Sequence, residues 1–160
     1  MICTQGNDGS VDHNWTTDKG VMAYAYDFVD QKSPTTASVV AMKAGTVVNV
    51  LDVKTGQTTS PSWGNYITIQ HASNEFSHYA HLTTGTFKVK LNQAVTQGAV
   101  LAQVGNSGYT LPKGGGYHVH VEATKTNDIN AQSVPVLFDD VASPTGPFPG
   151  QPISSGTYTS

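Results

Sequence analysis

Short runs in which apolar and aromatic side chains alternate with small or polar ones recur along most of the chain. The clearest is Val21–Val29, VMAYAYDFV, where Tyr24, Tyr26 and Phe28 alternate with small residues. Further runs cover Ser38–Met42, Thr46–Val53, Asn65–His71, Phe76–Leu82, Thr86–Lys90, Ala99–Val104 and Tyr117–Ala123. Most are rich in Val, Ile, Thr and aromatics, which fit a pleated, half-buried surface, and turn residues divide them. No stretch keeps a helical period over about ten or more residues. Val134–Asp140 is expected to form no more than one short helical turn. The pattern predicts an all-β domain.

Three polar stretches read as long loops: Gln5–Gly20, Lys54–Gly64 and Gly105–Gly116, the last with five glycines. Long loops on a compact scaffold tend to shape binding sites, so these are expected to wall a groove. The 160 residues suit a single domain with one real core, expected over about 13–140. Residues 141–160 hold four of the eight prolines and read as an extended tail. No internal repeat is visible.

Composition narrows the function classes. Charged residues make up 12% of the chain, against about 25% in a typical globular domain. The surface must therefore be rich in neutral polar groups, as suits a secreted or cell-envelope β-protein. The formal charge is −3, with eight lysines and no arginine. Nucleic-acid binding has little support without guanidinium forks or a basic cluster. Cys3 is the sole cysteine, so no internal disulfide can form. No apolar run is long enough to span a bilayer, and no export signal or wall-anchoring domain is visible in this chain. A monomer is expected.

The six histidines are His13, His71, His78, His81, His118 and His120. His118 and His120 lie in the strand-like YHVHVEA. Residues two apart on a strand point to one face, about 6.6–6.8 Å apart. Both imidazoles and Glu122 therefore share a face, while Tyr117, Val119, Val121 and Ala123 take the other. An isolated His-x-His is a weak motif, and two solvated histidines would explain it equally well. Asp27 adds weight, because it interrupts the aromatic run YAYDFV. A buried carboxylate needs a partner, and a metal or a lysine would serve. Alternation puts His71 with Ile67 and Ile69, as a packed or hydrogen-bonded structural histidine. It also puts His78 and His81 of FSHYAHL on opposite faces, and leaves open which of them looks into a pocket.

In order along the chain stand a His, an Asp-Phe strand, YAHL, the loop VGNSG and HVHVE, with VVAMKAGTVVNV and NYITIQH between them. This set resembles the lysostaphin/LytM family of zinc metallopeptidases, from about His13 to Glu122. The resemblance implies antiparallel β-sheets with long loops forming a groove. It implies hydrolysis of peptide bonds in bacterial peptidoglycan, in the stem peptide or the cross-bridge. It also implies one Zn2+ ion bound by His13, Asp27 and His120, with His81 and His118 as catalytic histidines. Many members hold the first His and the Asp four residues apart. Here fourteen separate them, and no other histidine precedes Asp27. Two imidazoles and a carboxylate suit zinc, and three protein ligands leave a fourth position open, as in catalytic sites. No HExxH helix is present, so Glu122 is expected to act behind the ligands or in the structure. Trp15, Trp63 and Tyr109 are candidates for substrate contact, although aromatic packing of loops onto the sheet would account for them as well.

Three other readings have less support. A non-catalytic envelope module of the same fold would have lost ligands, yet all five positions are filled. A carrier domain using Lys43 in AMKAG would lack the usual apolar residue after the lysine. A serine hydrolase using Ser107 would lack the G-x-S-x-G spacing.

Overall fold

The computed structural model describes residues 1–6, 13, 21–53, 56–110, 116–136 and 156–157. Among these residues every regular element is a strand. The strands are β1 (Ile2–Gln5), β2 (Tyr26–Val29), β3 (Ser38–Val40), β4 (Gly45–Leu51), β5 (Tyr66–Ala72), β6 (Glu75–Ala80), β7 (Ala94–Val95), β8 (Val100–Gln103), β9 (Val119–Thr124), β10 (Ser133–Val134) and β11 (Gly156–Thr157). Nine form one sheet in the order β11-β1-β2-β9-β6-β5-β4-β7, with β10 on β9, and β3 pairs with β8 in a second, two-stranded sheet. The strand pairs are antiparallel.

Side chains directly opposite one another on neighbouring strands share a face, so the register sorts the large sheet into two faces. Tyr26 lies opposite Val121, Phe28 opposite Val119, Tyr79 opposite both Val121 and Ile67, and Val47 opposite Ile69. These residues form the core with Val39, Leu101 and Val104, from the second sheet and the end of β8. The tyrosine at 26 and the phenylalanine at 28, two apart on one strand, stack with ring centroids 6.0 Å apart.

The opposite face carries the polar residues. Asp27 lies across from His120, His120 from Ala80, Glu122 from His78, and His78 from Thr68. His78 bonds Thr68 Oγ1 at 2.9 Å and Thr124 Oγ1 at 2.8 Å. The Thr124 hydroxyl donates to the Thr126 carbonyl at 2.6 Å. His78 therefore donates from Nε2 and accepts at Nδ1. His71 bonds the Ala44 carbonyl and Ser77 Oγ, as its hydrogen-bonded structural reading requires.

Several sequence expectations need correction. The first half of Val21–Val29 is a turn closed by the Ala25 amide on the Met22 carbonyl. Met42 lies in a bend beyond β3, and Lys43 forms an exposed ion pair with Glu75 at 2.7 Å. Thr86–Lys90 has no ladder, although the Lys88 amide donates to the Leu101 carbonyl. Val134 pairs with Ala123 as part of β10 instead of opening a helical turn. Residues 137–140 lie outside the described residues. So does the expected tail over 141–160, apart from β11. No helix among the described residues is long and apolar enough to cross a membrane.

Candidate metal centre and groove

β2 and β9 are neighbours at the middle of the large sheet, and their register sets Asp27 directly beside His120. His120 Nδ1 lies 3.1 Å from Asp27 Oδ1 and 3.2 Å from His13 Nε2. His13 Nε2 is 3.6 Å from the same carboxylate oxygen. His13 thus closes a triangle of three donor atoms on the polar face, and the three residues form a group able to hold a metal ion. Ligands at tetrahedral angles around an ion at about 2.0–2.1 Å stand roughly 3.3–3.4 Å apart. The observed spacings bracket that value, so these residues fit a tetrahedral cation.

The electrostatics agree with the geometry. Burial alone would raise the Asp27 carboxyl. The hydrogen bond with His120 and the imidazoles of His13 and His118 instead hold it well below the usual carboxylate range. Asp27 Oδ2 also accepts a 3.4 Å bond from Gln5 Nε2. Burial would lower His120, yet its contacts with Asp27 and Glu122 push it up to about 10. His120 Nε2 points away from the triangle, 3.8 Å from Glu122 Oε2 on the fully buried Glu122. In a metal-ligating histidine the second ring nitrogen commonly faces a carboxylate, which orients the ring. Glu122 therefore stands behind the ligand.

His118 and His81 lie beside the triangle. His118 Nε2 is 3.8 Å from Asp27 Oδ1, and its Nδ1 donates to the Gly116 carbonyl at 2.7 Å. The His81 ring lies 4.8 Å from that of His118 and 6.1 Å from that of His120. Its Nδ1 donates to the Ser107 carbonyl at 2.8 Å. Burial lowers His81 to about 3, with the neighbouring His118 and His120 adding to the effect. Strict alternation would send His81 to the core face. β6 ends at Ala80, however, and His81 takes a left-handed conformation, φ 62°, which turns its ring back to the polar face. His78 and His81 therefore lie on the same side of the sheet, against the expectation of opposite faces.

Two of the three long loops join beside the site. The Gly108 amide donates to the Gly56 carbonyl, the Thr58 amide to the Gly108 carbonyl, and the Tyr109 amide to the Ser62 carbonyl. Together they edge a cavity of about 240 Å³ lined by Gly56, Leu82, Thr83, Asn106, Ser107 and Tyr117, among others. Trp63 packs against the His120 ring at 4.8 Å, and its indole donates to Asn130 Oδ1 at 2.9 Å. Tyr109 is exposed on its loop, and so is Tyr117, which sequence reasoning assigned only to the apolar face. Trp15 lies outside the described residues, as does most of the first loop. Gln5 was also missed as a partner of Asp27. Its position at the end of a strand beside β2 carries no signal in the sequence.

An antiparallel sheet whose Asp27 and His120 meet His13 at cation spacing, with two more imidazoles alongside, defines a metallohydrolase class of site. The chain belongs to peptidase family M23, whose family model matches residues 25–134. No curated protein sequence matches it significantly. Solved structures do. A catalytic-domain mutant of the prophage-encoded M23 protein EnpA from Enterococcus faecalis is 26% identical with TM-score 0.52, the match covering 69% of this chain and 72% of that one. LytU is 24% identical with TM-score 0.54, over 69% and 67%. The catalytic domain of the antimicrobial peptidase lysostaphin from Staphylococcus simulans is 18% identical with TM-score 0.55, over 84% and 85%. The chain spans 41% of a longer lysostaphin chain. The fold is thus that of the lysostaphin catalytic domain, and the chain is a metallopeptidase.

Proposed function

We propose that this chain is one peptidase unit that hydrolyses peptide bonds of bacterial peptidoglycan, in the stem peptide or cross-bridge, with one zinc ion. It would act outside the cell or in the envelope. The observation that carries this reading is the spacing of His13 Nε2, Asp27 Oδ1 and His120 Nδ1, with two further imidazoles beside them. Two neutral imidazoles and one carboxylate are a donor set suited to zinc. A zinc ion held there would act as a Lewis acid, lowering the pKa of bound water to about 7 and polarising a carbonyl.

The chain's own residues do the rest. His13, Asp27 and His120 hold the ion, and Gln5 steadies the second oxygen of Asp27. His81 and His118 each donate a hydrogen bond from Nδ1–H to a main-chain carbonyl, which leaves Nε2 as the nitrogen able to gain or lose a proton. One of them takes a proton from the attacking water at Nε2 and returns it to the leaving amine, and the other steadies the developing oxyanion as a donor, with a proton on Nε2 as well as on Nδ1. Trp63 beside His120 and the exposed Tyr109 are the aromatic contacts for the peptide, with Trp15 a third from the first loop.

Digestion of purified muropeptides, read by mass spectrometry alongside metal analysis, tests the assignment. The wild type is expected to cleave, to stop with a chelator and to recover with zinc. His120→Ala is expected to lose zinc and turnover together. His118→Ala should keep zinc and lose turnover by about 10²-fold or more. Undiminished turnover in either variant would sink the scheme.

A further inference from the structure

The left-handed backbone at His81 must be held by its surroundings, and the bonds that hold it converge on one serine. The His81 amide donates to the Trp63 carbonyl at 3.1 Å, and the Leu82 amide to the Asn65 carbonyl at 3.0 Å. The Leu82 carbonyl accepts twice, from Ser107 Oγ at 2.8 Å and from Asn65 Nδ2 at 3.1 Å. Ser107 Oγ in turn accepts the Asn65 amide at 2.9 Å. The Ser107 carbonyl takes the Nδ1 proton of His81 at 2.8 Å. His81, Leu82, Asn65 and Ser107 are all buried. From the other side Gly64, φ 63°, lies so close that a Cβ there would collide with the Ser107 main-chain carbonyl. The serine is hemmed in, and its hydroxyl is engaged as donor and as acceptor at once.

We propose that Ser107 is the positioning residue of His81: its main-chain oxygen keeps the ring proton on Nδ1, and its hydroxyl ties that oxygen to the turn carrying the ring. Nε2 of His81 is thereby left as an acceptor toward the cation site. The inference rests on the reading of His81 as a proton-handling group. It also gives Ser107 a role that is not nucleophilic, since a buried hydroxyl with both sides engaged has no open face for substrate. Alanine at this position would leave the buried Asn65 amide without its acceptor, a loss that shifts the loop and with it the oxygen holding His81.

Nitrogen-15 NMR of the histidine side chains in the zinc-loaded protein tests this. Wild-type His81 is expected in the Nδ1–H tautomer, and the Nε2–H tautomer would overturn the proposal without any variant. In Ser107→Ala, with zinc content equal to wild type, His81 is expected to populate both tautomers. Its kcat should fall about 10- to 100-fold with KM within about twofold. An unchanged His81 signal together with unchanged kcat overturns the proposal. Ser107→Cys keeps a donor at the same place, weaker and slightly larger, and is expected to fall between the two. It decides the matter if the alanine variant does not fold, and equality with wild type in tautomer and kcat then counts against Ser107. Should His81→Ala retain wild-type activity, the functional reading of His81 fails, while the tautomer measurement still judges Ser107.

Discussion

At the scale of single residues, the polar face of the sheet stacks buried ionisable groups that only their partners make tolerable. His78 is the simplest case, since it lies on that face yet belongs to no part of the metal triangle. Burial, with the nearby His120, lowers its pKa to about 4. Unfolding exposes it to water, where an imidazole titrates near 6.5. Between pH 6.5 and 4 the unfolded chain binds the extra proton, so stability falls as pH falls through that window. The contribution at stake is on the order of 3 kcal/mol. Thermal melts from pH 7 to pH 4 are expected to show a steeper loss of Tm in the wild type than in His78→Gln. Parallel slopes would mean that His78 titrates alike in both states. The glutamine variant should also be less stable at pH 7, because Thr68 and Thr124 lose a well-placed partner.

At the scale of elements, the sequence announced the longer strands, whose apolar residues alternate with polar ones, and hid several of the shortest. Runs such as Asn65–His71 and Tyr117–Ala123 were legible because Val, Ile and aromatics recur with period two. β1, β7, β10 and β11 are two to four residues long and depend on their neighbours for pairing, so no local pattern marks them. Asp27 and the pair His118 and His120 were legible as odd polar residues on apolar strands, but which of them would be ligands came only from the resemblance. The aim of His81 was not legible from alternation, since it follows from a left-handed turn just past the strand. Only the resemblance to a known family pointed to it. Gly105 shows what that turn demands. Its carbonyl accepts the His118 amide at 3.0 Å, and a Cβ on it would meet the His81 carbonyl oxygen and the Thr83 nitrogen at 2.5 Å. One residue thus backs both imidazoles, with no space for a methyl group. Gly105→Ala is expected to cost about 1–3 kcal/mol in urea unfolding and to reduce turnover. Gly56→Ala, with nothing within 4 Å of its added carbon, should change stability by less than about 0.5 kcal/mol. Equal effects of the two would remove the argument from close packing.

At the scale of the whole molecule, the antiparallel sheet separates two tasks. One face is an apolar core shared with the small second sheet. The other gathers His13, Asp27, His81, His118 and His120 from widely separated parts of the chain, with Glu122 and Gln5 behind them. Diffraction from crystals grown with zinc, recorded at the zinc absorption edge, tests that convergence most directly. A single anomalous peak is expected about 2.0–2.2 Å from His13 Nε2, Asp27 Oδ1 and His120 Nδ1. A zinc peak elsewhere on the molecule, or none at these three atoms under saturating metal, would contradict it.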